Sequence, residues 1–330
     1  MTDAPFVVEE SAGGRVRNRA AIGYALVLSA IALWSVNATI AKIVVESGGL
    51  SPLRLAQVRA TGAGLILFLA VALIKPRSLR IAGRRELVFL AAFGVLGLAL
   101  VHFLYFTAIT HMDIGIALVI QYIAPVLVAI WARFFVHEPV RRRLWVALAL
   151  ALVGLSLVVE VWGGGELSGF GVAASLGAAC AYAFYILMAE ASLRRGRDVF
   201  SLLSWGFVFA ALFWTVVQPW WGFPTDIFGA DASLLGRLED TAAPLWLLLG
   251  YIVVLGTIVP FILMVGALHY ISATRATVVA MVEPVLAGVV AYAWLGEEIG
   301  GIQILGCVLV LTGIVLAQTA RSGTSGSGST

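Results

Sequence analysis

Apolar residues in this chain come in blocks of roughly 18–25, the length a helix needs to cross about 30 Å of hydrocarbon. Ten such blocks follow one another with short polar breaks between them. The chain is 61% apolar and 12% charged, against about 45–50% and a quarter in a soluble globule. It lacks the polar material to cover a water-facing surface, so a lipid bilayer is the expected solvent. A membrane barrel would read as short alternating segments, and the blocks do not alternate. The expected fold class is an all-α integral membrane protein of ten transmembrane helices. They are predicted near 21–45, 52–74, 87–109, 113–136 and 144–161, then near 170–193, 199–221, 244–268, 274–295 and 301–319. The breaks between them ("ESGGLSP", "IKPRSLRIAGRRE", "WGGGELSG", "LGEEIGG") carry the expected glycine, proline and charge.

Basic residues give the direction of threading. With the N-terminus in the cytoplasm, Arg15, Arg17, Arg19, the Lys75–Arg85 cluster, Arg141–Arg143, Arg194, Arg195, Arg197, Arg275 and Arg321 all fall inside, 16 of the 21 lysines and arginines. The outer loops keep only Arg237. Both termini, 1–20 and 320–330, are expected as cytoplasmic tails, and the cell (inner) membrane is the expected location. "GRVRNR" ahead of an apolar run imitates a secretory signal, but the run is too long and leads into further spans. Cys180 and Cys307 fall inside spans and read as packing residues. A net charge of +3, scattered along the chain, gives no footprint for nucleic acid.

Two stretches expose a second level of order. "QYIAPVLVAIWARFFVHEPV" starts at Gln121 and "AMVEPVLAGVVAYAWLGEEI" at Ala280. Each has a proline inside an apolar run, where it removes a helical hydrogen bond, and a glutamate at the same distance beyond. A shift of 159 positions lays Ala108 on Ala267, Ala117 on Ala276, Pro125 on Pro284, Glu138 on Glu297 and Gly154 on Gly313. For the first spans the shift is 148, with Gly171 over Gly23. The chain therefore reads as two five-helix copies, residues 21–162 and 170–319. An odd number of spans forces the second copy into the membrane upside down, the inverted-repeat plan of secondary transporters with a solute site near the midplane.

The segments "ALWSVNATIAKIVV", "SPLRLAQVRATGAGLILFL", "YFTAITHMDIGIALVIQYIAPVLVAIWARFFVHEPV" and "SATRATVVAMVEPVLAGVVAYAWLGEEI" resemble the EamA-type branch of the drug/metabolite transporter superfamily, over about residues 21–319. The tryptophan of the first span, Arg59 in the second and the doubled Pro–Glu element carry the likeness, which is closest to bacterial aromatic amino-acid exporters of that branch. The resemblance implies a ten-helix exporter of amino acids and related metabolites. The first copy departs from the usual pattern at "HEP", where a small glycine commonly precedes the glutamate.

A zwitterionic solute needs a cation for its carboxylate, acceptors for its ammonium and a surface for its side chain. Polar residues inside spans usually face the bundle interior. Trp34 and Asn37 share a face of the first span, with Lys42 beside it near the outer end. Lys42 is a carboxylate ligand on one reading and a snorkelling side chain on the other. His102 and Tyr105 share a face of the third span. Tyr182 and Tyr185 are the repeat counterparts of Trp34 and Asn37. Pro125 and Pro284 are expected kinks that free the carbonyls of Gln121 and Ala280 toward a cavity. Glu283 is an isolated acid half-way along its span, able to bind ammonium or exchange a proton, or else to pair with Arg59. Arg59 itself reads as a brace between helices, Asp113 as an N-cap, Glu190–Arg194 as a surface pair, and Glu138 and Glu297 as holders of short turns.

The alternatives are a related carrier for another metabolite or drug, and a channel or non-transporting scaffold. Phosphorylated cargo would call for more intramembrane cations than Lys42 and Arg59. No HExxH or GxSxG element or P-loop occurs, and His102, His111, His137 and His269 lack metal spacing. No enzyme activity, metal or cofactor is expected. The expected partners are a small solute and lipid, with the monomer as working unit.

Overall fold

The computed structural model describes residues 8–137, 141–161 and 168–319, with residues 8–18 through their backbone. Glu138 and the chain ends 1–7 and 320–330 lie outside the described residues. The helices run α1 (Val8–Glu46), α2 (Pro52–Ile74), α3 (Arg84–Ala92), α4 (Leu100–Ile109), α5 (Ile114–Gln121), α6 (Ala124–Phe134) and α7 (Arg142–Val158). They continue as α8 (Gly169–Arg194), α9 (Val199–Val217), α10 (Leu245–Val253), α11 (Val259–Ala267), α12 (Ala273–Ala280), α13 (Glu283–Leu295) and α14 (Gly301–Thr319). Wide π-turns, Phe93–Ala99 and Val254–Ile258, join α3 to α4 and α10 to α11. Among the described residues, nine helical stretches of 18 or more residues are apolar enough to span a bilayer. The 17-residue α7 is the tenth span. This is a multi-pass, all-α membrane protein.

Local chemistry starts the helices where the breaks were read. Ser51 accepts from the Arg54 amide at 3.3 Å with Pro52 behind it, and Asp113 accepts from Gly115 at 2.7 Å. Ser168 and Asp198 cap α8 and α9 in the same way. One departure is at the start, where α1 begins at Val8, well ahead of the apolar run. Another is the long break between the spans expected at 199–221 and 244–268: α9 already ends at Val217, and the 220–244 segment that follows is structured. It folds into a short antiparallel ribbon, β1 (Asp231–Ser233) with β2 (Ala242–Pro244), flanked by 3-10 turns.

The repeat is written in the backbone. α5 and α6 are broken at Tyr122–Ile123, α12 and α13 at Met281–Val282, and these pairs are 159 positions apart. The π-turns also overlap under that shift. The two copies run in opposite directions, as the α7–α14 contact demonstrates. A Cβ on Gly154 would sit 2.7 Å from the Gly306 carbonyl oxygen, and one on Gly313 would sit 2.7 Å from that of Ala147. Residue numbers rise along one helix as they fall along the other, so the fifth helices of the two copies are antiparallel. Each contact is also the repeat image of the other. Small residues let such helices approach closely in lipid, where van der Waals packing replaces the hydrophobic drive. The second helices pair likewise: Arg54 on α2 donates to the Pro219 carbonyl at 2.9 Å, while Lys75 lies 4.0 Å from Asp198 at the other end.

The two ends of the bundle differ. At the basic end, Arg197 pairs with Glu86, Ser201 Oγ donates to the Ser78 carbonyl at 2.6 Å, and Trp205 Nε1 donates to that of Leu79 at 3.1 Å. Burial pulls the Arg197 guanidinium below its ordinary pKa, against the opposing charge of Asp198. Glu190 pairs with Arg194 at 3.1 Å, as read from spacing. The opposite end is covered by the 220–244 segment, called the strap below.

Candidate functional site

The four spans around the bundle centre are α2, the π-turn with α4 of the first copy, α9, and the π-turn with α11 of the second. Between them is a small cavity lined by Arg59, His102, Thr257, Phe261, Phe207 and Trp214, with Ala56, Ala60 and Ala210 as small residues beside it. His102 and Phe261 are repeat counterparts, so the cavity straddles the pseudo-symmetry axis.

The second π-turn makes a place for Arg59. Pro260 has no amide hydrogen to return to the Gly256 carbonyl four residues back, and that carbonyl faces the guanidinium, 3.5 Å from Nη2. Arg59 Nε donates to Thr257 Oγ1 at 3.1 Å, and that hydroxyl in turn donates to the Ile252 carbonyl at 2.8 Å. Arg59 is thus held by neutral groups. Glu283, the first residue of α13, accepts from the Tyr122 hydroxyl at 3.2 Å. Its field also reaches Tyr105, Tyr182 and Arg59. Among the described residues, Arg59 and Glu283 are in no ion pair with each other or with any other side chain; the pairing considered from sequence does not form. His102 Nδ1 lies 3.1 Å from the Leu98 carbonyl. That contact assigns the hydrogen to Nδ1 and leaves Nε2 of the neutral ring as an acceptor.

The remaining sequence-derived residues divide by position. Trp34 meets the Phe261 ring edge-on at 5.4 Å. Tyr182 packs on Tyr185 at 5.8 Å within the Glu283 field. Asn37 and Tyr185 are 5% and 2% exposed, and both are wedged against a π-turn: Asn37 against Gly256 of the second copy, Tyr185 against Gly97 of the first. Neither glycine leaves room for a side chain. Among the described residues, the Asn37 Oδ1 and Tyr185 hydroxyl are buried without a hydrogen-bond partner. Gln121 closes α5 at the break, and it is the next residue, Tyr122, that reaches Glu283. Lys42 lies apart from this cluster, 2.9 Å from Glu297 at the strap end. Glu297 therefore holds α1 rather than its own turn. Pro125 and Pro284 stand in the first turns of α6 and α13, where a missing amide hydrogen costs least, and the chain breaks ahead of each instead of bending through it.

Sequence reasoning did not single out Tyr122, Thr257 and Phe261. A signal was present for Thr257, which lies three residues before Pro260 in an apolar span. Tyr122 and Phe261 gave none, being aromatics in apolar runs.

The EamA-like transporter family matches residues 21–160 and again 169–319. The chain belongs to that family. Two matches, one to each copy, fit the duplicated geometry of the site. EamA-like relatives include an uncharacterized transporter of Archaeoglobus fulgidus, 29% identical over 77% of this chain and 84% of the relative. The threonine/homoserine exporter RhtA of Salmonella typhimurium is 28% identical, over 76% and 78%. The uncharacterized inner membrane transporter YicL of the same species is 24% identical, over 88% and 93%. A solved crystal structure with 17% identity superposes with a TM-score of 0.73 over 92% of this chain and 99% of that one, the same fold. The protein is a transporter of the EamA-like family and not an enzyme.

Proposed function

We propose that this transporter exports amino acids, aromatic and other neutral ones foremost, through alternating exposure of the site between its two copies. The observation that carries the reading is the Arg59–Glu283 arrangement: opposite, partly buried charges inside the bundle, each hydrogen-bonded to neutral partners and not to the other. An intramembrane charge is costly and is retained for a partner. A zwitterion supplies both partners, its carboxylate to Arg59 and its ammonium to Glu283. The side chain then enters the cavity beside Phe207, Trp214 and Phe261. Lys42 is committed to Glu297, so a single site cation, Arg59, is left among the described residues, too few for phosphorylated cargo. The named activity of RhtA supports the substrate class. The basic end lies in the cytoplasm by the charge rule, with both termini there, the cell membrane as location, lipid as surroundings and one chain as working unit.

The test is efflux of labelled amino acids from proteoliposomes, with and without a pH gradient. Saturable, stereoselective movement of phenylalanine, leucine and threonine is expected. If none of them moves or competes, the substrate class is wrong.

A further inference from the structure

At the strap end, four separate contacts fasten the tip of α13. Lys42 on α1 pairs with Glu297, just beyond the helix. Trp294 Nε1 donates to the Leu234 carbonyl at 3.1 Å. The backbone of Gly236 lies directly on Leu295, and the Arg237 guanidinium sits 5.5 Å from the centre of the Tyr292 ring. The strap holds this position against its own backbone preference. Leu235 has φ 59 and ψ 169, a region left almost entirely to glycine. Its amide is steadied by Ser233 Oγ at 3.3 Å, whose hydroxyl donates to the Glu239 carbonyl.

The other end of α13 begins at Glu283, immediately after the break at Met281–Val282. One rigid 13-residue helix therefore joins the site to the fastened tip. Its repeat counterpart α6 has no such fastening among the described residues. Phe135, equivalent to Trp294, is 65% exposed and stacks on Trp131. Glu190, equivalent to Lys42, is engaged by Arg194 and by the Ala273 amide.

We propose that the strap and the Lys42–Glu297 pair form a latch that shuts the strap-side end of the solute path, released when α13 pivots at Met281–Val282, so that events at Glu283 and opening of the latch are one motion. Strain at Leu235 and the half-exposed ion pair make the closed position easy to leave, as a gate that cycles requires.

The experiment uses the full chain with Cys180 and Cys307 replaced by alanine and with Ala41→Cys, a partly buried position beside Lys42. Membrane vesicles receive an impermeant maleimide on the strap side, and the labelling rate is read; it does not depend on which solute is carried. Lys42→Glu is expected to raise the rate at least fivefold, and Lys42→Glu with Glu297→Lys to return it to within twofold of the parent. Trp294→Phe keeps the ring and removes one hydrogen bond, so it reads the latch even where the charge variants fail to fold, and a rise of about twofold is expected. Unchanged labelling in Trp294→Phe, unchanged labelling in Lys42→Glu, or a charge swap as reactive as the single variant would each overturn the latch.

Discussion

Arg59 reads from sequence as a brace and turns out to occupy the centre of the molecule. Its partners are a carbonyl that Pro260 cannot satisfy and a hydroxyl that already spends its hydrogen on Ile252. Neither cancels its charge, which stays available to an anion. Replacing Arg59 with Met should lower amino-acid flux at least tenfold, about 1.4 kcal/mol of lost interaction, while Lys in its place should retain part of it. Proteoliposome flux at matched protein loading checks this. Glu283→Gln keeps the bond to Tyr122 and removes the charge. It should cost flux of amino acids far more than flux of their des-amino analogues, and an equal loss for both would remove Glu283 from ammonium recognition. The carboxylate was legible because it is alone in an apolar run. Its hydroxyl donor, Tyr122, was not, because a contact across 161 positions leaves no trace in one sequence.

Among the elements, the broken helices and π-turns do what the sequence announced only in part. The prolines predicted kinks, and the chain instead breaks cleanly ahead of each, giving short rigid halves. Asn37 and Tyr185 were expected to face solute because they share helical faces with Trp34 and Tyr182. They are pressed into the glycines of the opposing π-turns, since an α-helical period says nothing about where the neighbouring helix widens. Gly256→Ala should therefore drive a methyl group into Asn37. Overpacking of this kind costs about 1–3 kcal/mol, read as a lower melting temperature of the detergent-solubilised protein, whereas Gly250→Ala, facing open space, should be neutral. Lys42 shows the limit of depth arguments: its height in the span was read correctly, but its partner on another helix was hidden. Gly306→Leu should separate α7 from α14 and reduce the monodisperse fraction in size-exclusion chromatography, because backbone contacts of the Gly154 kind tolerate no side chain.

For the whole molecule, the ten spans, the duplication and the inversion were readable because each rests on a strong signal: block length, matched proline spacing and an odd helix count. What joined the copies was not readable. The strap read as a long break between spans, since its ribbon is only three residues a strand, and its grip on α13 depends on packing. Labelling single cysteines at Arg141 and Gly300 from either side of intact cells should place the two turns on opposite faces; the same face for both would end the inversion. The account as a whole rests on a zwitterion bridging two charges that do not bridge each other. The most direct measurement is concentrative counterflow of phenylalanine and threonine in proteoliposomes, wild type beside Arg59→Met. Saturable uptake by the wild type, abolished in the variant, is the predicted result. Absence of uptake in the wild type, or equal uptake by both proteins, would contradict it.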